Sequence, residues 1–322
     1  MRALLICALL WALPAAAELP VLRIAVLKVG TVNWELDSIA HHGDDTANGF
    51  RLEVRGTAGS AASMVAFQGG AVDAVVSDWI WVARQRAAGR DYVFIPYSRA
   101  VGAILVPADS PAQSLADLDG ARIGIAGGAL DKSWLILRAY AQRRHGIDLA
   151  RRTTQVFAAP PLVFKAALDG EFGAAVNYWH FNAKMEAAGM RKLVDVGEAA
   201  AALGLDPATP LLGYVLRGEM LRERPALAHG LMRASRAAKD RLARDDAEWD
   251  RLRPLMRAGD DATYRFLRDG FRAGIPEHGP VDEAAADRMF RLMAELGGAA
   301  LTGSATRLPD GVFAAPPPPK DP

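Results

Sequence analysis

Residues Ala66–Trp79 read AFQGGAVDAVVSDW, and 100 positions further on Ala166–Trp179 read AALDGEFGAAVNYW. Five of the fourteen positions are identical: Ala66/Ala166, Gly70/Gly170, Ala74/Ala174, Val76/Val176 and Trp79/Trp179. Each copy runs from an apolar helix end through Gly to a short apolar strand, a polar residue and a Trp. A strand covered on both faces reads as a continuous apolar run, as strands of parallel sheets do. The chain therefore carries the same helix–strand–helix unit twice.

Working outward, VLRIAVL (Val21–Leu27) and RLEVR (Arg51–Arg55) predict strands, and GTAGSAASMVAFQGG places small residues ahead of a helix with apolar spacing at Ala62, Val65 and Ala66. IWVARQRAAG continues as helix after the first copy. The resulting β-α-β-α order is that of a mostly parallel sheet with helices on its faces. Val101–Val106 and Ala121–Ala126 predict two more strands, with a short helix at Leu115–Leu118 between them. DKSWLILRAYAQRRHG is an amphipathic helix, TTQVFAAPP a strand and turn, and Lys192–Val196 the strand that closes the second copy. Leu211–Arg217 is a strand returning to the first unit, and Pro225–Leu296 is helical, broken near Pro254, Gly259 and GIPEHGP.

This organisation predicts an α/β protein of two lobes. One is formed by residues 18–105 with 212–308 and the other by 106–211, followed by a Pro-rich tail, 309–322, expected to be disordered. Ligands of open α/β sheets bind outside the carboxyl ends of the strands, so Ser77-Asp78-Trp79 and Asn177-Tyr178-Trp179 are expected to form opposing walls of one cleft.

The first residues combine Arg2, the apolar run ALLICALLWAL and Ala15–Ala17, which reads as a secretory leader cleaved near Glu18. The run is too short to span a bilayer. Ile6, which precedes Cys7, is not the small residue that lipidation of this cysteine would need, and after cleavage no cysteine remains. An exported, periplasmic protein without disulfides is expected. The 322 residues carry 38 basic and 37 acidic side chains; loss of Arg2 leaves 37 of each. Without a basic block, nucleic acid and anionic membrane surfaces are poor candidates as partners.

The run LEVRGTAGSAASMVAFQGGAVDAVVSDW resembles the solute-binding proteins of the nitrate/sulfonate/taurine ABC importers, a family that includes binders of thiamine pyrimidine precursors. GAILVPADSPAQSLADLDGARIGIAGG and RERPALAHGLMRA are similar to two further segments of that family, so the resemblance extends over Leu22–Ala238. Two departures stand out: TVNWELDSIAHHGDD is short and polar where the family has a longer helix, and Gly173 occupies a turn position that usually holds Asp. The resemblance implies a type II periplasmic-binding-protein fold with the ligand between the lobes. It also implies a monomer that serves a permease and an ATPase, with no catalysis and no cofactor.

Gly56–Ser60 leads into a helix N-terminus, where free N–H groups and the positive end of the dipole favour an anion; Thr57, Gly59 and Ser60 are candidate contacts, with Ser60 as an ordinary N-cap the competing reading. GGALDKSW offers the same geometry in the second lobe through Gly128, Asp131, Lys132 and Ser133. Trp34, Trp79, Trp134 and Trp179 fall at strand-to-helix junctions and are expected to form aromatic cleft walls, whereas Trp81 is assigned to the core and Trp249 to a surface helix. Asp78 and Asp131 keep a cationic ligand or a hard metal ion open as an alternative, with helix caps at loop ends the competing reading of both. His41, His42, Asp44 and Asp45 are adjacent in sequence and converge poorly on one ion, so they read as a solvated loop, not a metal site. No G-x-S-x-G elbow, Walker loop or cysteine nucleophile is present, and a sensor or accessory role in a membrane or oxidoreductase system is the alternative function.

Overall fold

The computed structural model describes residues 18–319. The expected leader, residues 1–17, lies outside the described residues, as does the end of the tail. The first half of the chain forms β1 (Val21–Leu27), α1 (Val32–His41), α2 (Asp44–Ala47), β2 (Arg51–Thr57), α3 (Ser60–Gln68), β3 (Ala74–Asp78), α4 (Trp79–Ala87) and β4 (Tyr92–Ser98). The second unit comprises β5 (Ala103–Val106), β6 (Arg122–Ala126), α5 (Lys132–His145), α6 (Leu149–Arg152), β7 (Thr154–Ala158), α7 (Pro160–Leu168), β8 (Ala174–Asn177), α8 (Trp179–Ala187), β9 (Arg191–Asp195) and α9 (Val196–Ala202). The chain then returns through β10 (Leu212–Arg217) and ends in α10 (Gly218–Glu223), α11 (Pro225–Arg244), α12 (Asp246–Met256), α13 (Asp261–Ala273) and α14 (Glu283–Thr302).

Two five-stranded sheets result, ordered β2-β1-β3-β10-β4 and β7-β6-β8-β5-β9. The orders are equivalent strand for strand, so the repeat at Ala66 and Ala166 is the sequence trace of a duplicated architecture. In each sheet the single antiparallel strand is the one that arrives from the other lobe, β10 in the first and β5 in the second. The strands around it run parallel to one another, so their carboxyl ends share one edge. The crossovers lie at 99–102 and 203–211.

Four expectations are corrected here. Strand β5, assigned by sequence to the first lobe up to residue 105, pairs with β8 and β9 of the second sheet; a short apolar strand at a crossover carries no mark of which sheet it joins. The tail is not disordered where it begins: Phe94 N donates to Val312 O at 2.7 Å, Ala314 N donates to Phe94 O at 2.9 Å, and the Phe313 ring sits 5.7 Å from both Phe94 and Trp79. The free edge of β4 offers unpaired backbone groups, and Phe313 supplies the apolar anchor that a Pro count overlooks.

The HHGDD segment is likewise no loop: α1, with Trp34, Leu36 and Ile39 facing inward, runs to His41 and α2 begins at Asp44, and although His41 and His42 are exposed, Asp45 is buried. His42 Nε2 lies 3.0 Å from Glu248 Oε2, Asp44 pairs with Arg241 at 2.9 Å, and Asp45 accepts from the N–H groups of Thr46 and Leu52. Trp249, expected on the surface, is fully buried on α12 and donates from Nε1 to Leu242 O at 2.7 Å.

The first lobe also buries charge. Glu35 on α1 is fully enclosed and accepts from Tyr214 Oη at 2.8 Å and Ser235 Oγ at 2.6 Å, with Lys239 Nζ 2.7 Å from its other oxygen. Burial depresses the Lys239 ammonium, and Glu35 only partly opposes this. A buried ion pair is tolerated when further hydrogen bonds complete it, and this one ties α1, β10 and α11 together.

Candidate functional site

The parallel strands of each sheet end in loops on one edge, and one contact shows that the two edges face each other. Lys132 Nζ, in the first turn of α5, lies 2.8 Å from Asp78 Oδ2 at the end of β3. Asp78 also caps its own helix, Oδ1 accepting from Trp81 N at 2.8 Å. Burial alone would lower the Lys132 pKa, but the charge and hydrogen bond of Asp78, with smaller help from Asp131 and Tyr178, outweigh it and the ammonium is held above its ordinary value.

Asp131 is the N-cap of α5, accepting from Trp134 N at 3.1 Å, and its burial raises its pKa. Both carboxylates that kept a cationic ligand open are thus engaged by a helix end, and Asp78 by Lys132 as well. Tyr178 stands beside this group with its side chain partly exposed, its phenol pushed up by burial and then by Asp131. The turn before α5 needs Gly127, whose φ of +89° is left-handed and where a Cβ would lie 3.5 Å from Tyr178 Oη.

On the first lobe, α3 starts one residue earlier than a Ser60 cap implies. Gly59 is the N-cap, in an extended conformation, and Ser60 is the first helical residue, so no side chain caps this helix. The Ser60 and Ala61 N–H groups have no partner among the described residues and both residues are exposed. Thr57 is less available: its Oγ1 lies 2.6 Å from Ser63 Oγ and 3.1 Å from Val26 O, which stitches the loop to β1 and α3.

Lys28 was missed by the sequence reading. It directly follows β1, is exposed, and makes no ion pair among the described residues; its stem runs so close to Gly56 that a Cβ there would meet Lys28 Cγ at 3.0 Å. Its position one residue past a predicted strand end was signal enough to find it.

The aromatic walls are corrected. Trp79 is fully buried against Phe290 and Phe313, and Trp134 and Trp34 are buried as well. Helix α14 and the docked tail cover the face that Trp79 was expected to present to a ligand. Trp179 is half-buried and bridges the lobes, its ring 6.1 Å from Trp34 on α1 and against Gly270 on α13, where a Cβ would approach it to 2.9 Å. It also borders a groove of about 550 Å³ between α8, α13 and the crossovers.

Ser77 is buried within β3, and Asn177 is consumed as a clamp, donating to Pro160 O at 3.0 Å and accepting from Tyr178 N at 2.8 Å. Gly128 and Ser133 are half-buried beside Lys132. Burial holds His180, at the start of α8, neutral with its pKa down to about 3.

Two equivalent sheets, two crossovers and strand ends facing across a cleft define the two-lobed α/β class of the periplasmic binding proteins. The NMT1/THI5-like family model matches residues 46–248, and the chain belongs to that family. This agrees with the resemblance read over Leu22–Ala238. No curated protein sequence matches the chain.

Among solved structures, the periplasmic aliphatic sulphonate-binding protein SsuA of Escherichia coli is similar at 19% identity and a TM-score of 0.69, over 90% of this chain and 96% of that one. The alkanesulfonate-binding SsuA of Xanthomonas axonopodis pv. citri, bound to MOPS, is similar at 18% identity and a TM-score of 0.70, over 93% and 99%. The desulfurization enzyme DSZB shares the fold at 16% identity and a TM-score of 0.59, over 91% and 97%.

Proposed function

We propose that the chain is an exported, periplasmic solute-binding protein that delivers a small polar anion of the sulfonate or nitrate class to the permease and ATPase of an ABC importer. It acts as a monomer, without cofactor or catalysis. The observation that carries this reading is the uncapped start of α3, where Ser60 and Ala61 are exposed and their N–H groups have no partner among the described residues. Lys28 stands at the neighbouring strand end, and Lys132 and Tyr178 lie on the opposing lobe. Unsatisfied N–H groups at a helix start, with the dipole behind them, bind oxyanions.

An anion held on the first lobe and reached by Lys132 from the second favours the closed arrangement, because only there does it contact both. Closure bends the crossovers at 99–102 and 203–211, a hinge motion of the usual kind. Both structural relatives named for sulfonates share this architecture, which supports the ligand class. Calorimetric titration with methanesulfonate and nitrate, against tetramethylammonium as a cationic control, tests it. Saturable 1:1 binding of either anion is expected; binding of the cation alone, or of none of the three, overturns the reading.

A further inference from the structure

The ion pair between Asp78 and Lys132 joins groups from different lobes, and both partners are placed with little freedom. Asp78 is pinned by its capping bond to Trp81 N, so its second oxygen projects across the cleft from the end of β3. Lys132 occupies the first position of α5, where the helix dipole disfavours a cation. A lysine there is unfavourable by itself and becomes favourable only through a negative partner. Asp131, on the same turn, adds its field to the ammonium while one of its oxygens caps α5, but among the described residues the carboxylate in hydrogen-bond contact with Lys132 Nζ is that of Asp78. At 2.8 Å, Nζ and Oδ2 are in direct contact, leaving no space between them for a ligand atom.

We propose that Asp78 is an internal competitor for the ligand: in ligand-free protein it latches the lobes together through Lys132, and it must release that ammonium before a bound anion can use it. Asp78 is then a specificity-determining residue that weakens the hold on simple anions. The latch stands on the geometry of the pair; the competition also rests on the anion reading of the cleft. Released from Lys132, Asp78 keeps its cap on α4, so the exchange disturbs no fold element.

Asp78→Asn separates the two roles of the residue, because its amide oxygen still caps Trp81 N while its NH2 group cannot accept from Lys132. The distance between the lobes is read by double electron–electron resonance from spin labels at V65C on α3 and L162C on α7 in the exported protein, which holds no other cysteine once the leader bearing Cys7 is cleaved. Val65 and Leu162 are 71% and 63% exposed and lie on equivalent helices of the two lobes. Without ligand, Asp78→Asn and Lys132→Gln should each shift the open-to-closed ratio by about two- to fivefold, the range of a partly exposed ion pair. The double variant should match either single one, and raised salt should reproduce the shift in the wild type only.

In titrations with methanesulfonate, Asp78→Asn should bind several-fold more tightly and Lys132→Gln several-fold more weakly. Distance distributions that do not change in either single variant, or shifts that add in the double variant, overturn the latch. Equal or weaker methanesulfonate binding by Asp78→Asn overturns the competition. If methanesulfonate binds no variant while the distances shift as described, the latch stands and the sulfonate reading alone fails.

Discussion

The uncapped start of α3 can be tested with a substitution that the fold should accept. Ser60 is the first residue of the helix, a position where Pro is favoured because the N–H it lacks has no intrahelical partner and its φ is already helical. The residue before a proline must be extended, and Gly59 already is, at φ −165° and ψ 164°. Ser60→Pro therefore removes one N–H and one hydroxyl from the cleft while leaving α3 intact. A hydrogen bond to a charged group is worth about 1.5–3 kcal/mol, so affinity for methanesulfonate should fall by about 10- to 100-fold. Calorimetry gives the affinity, and thermal unfolding of the ligand-free protein checks that the melting temperature is kept or slightly raised. Wild-type affinity in a stably folded Ser60→Pro protein would falsify the claim that this helix end holds the ligand.

Three other outcomes concern the scaffold. Lys239→Met leaves the Glu35 charge buried without its counter-ion and should cost about 3–5 kcal/mol in urea unfolding, with Glu35→Gln/Lys239→Met recovering most of it; equal losses in both variants would show that packing, not charge, is responsible. Glu248 is held at about pH 2, well below 4.5, because Arg251, His42 and Ser38 together outweigh the opposing effect of burial. Its contribution, on the order of 3 kcal/mol, is present above pH 4.5 and lost as pH falls toward 2, so the stability gap between wild type and Glu248→Gln should close over that window, and a gap constant from pH 6 to pH 2 contradicts it. Phe313→Ala should destabilise by about 3 kcal/mol in equilibrium unfolding through the lost contacts with Trp79 and Phe94; a tail that contributes nothing would leave the midpoint unchanged.

The sequence made the duplicated unit legible because the pattern that ends at Trp79 and Trp179 is local: a glycine stop, an apolar strand and a helix start lie within fourteen residues. Pairing across distance was not legible. Nothing in AILV at Ala103–Val106 says which sheet it joins, and nothing near Trp79 announces that Phe290 and Phe313, more than 200 residues later, will cover it. The reading of the tryptophans failed for this reason, since topological equivalence fixes where a residue sits on its own strand and helix but not what packs on it afterwards. The capping roles of Asp78 and Asp131 were weighed from sequence and are observed, whereas the bond between Asp78 and Lys132 spans 54 positions and depends on how the lobes meet. Lys28 was within reach of the same strand-end argument that selected Ser77 and Asp78.

The central claim is that one small anion is held between the strand ends of both lobes. Native mass spectrometry of the protein purified from its native host tests it most directly, by comparing wild type with Ser60→Pro and Lys132→Gln prepared in the same way. A single small-molecule adduct per chain is expected, released as an anion on activation, largely lost in Ser60→Pro and reduced in Lys132→Gln. An adduct released as a cation, or one retained undiminished in both variants, would contradict it.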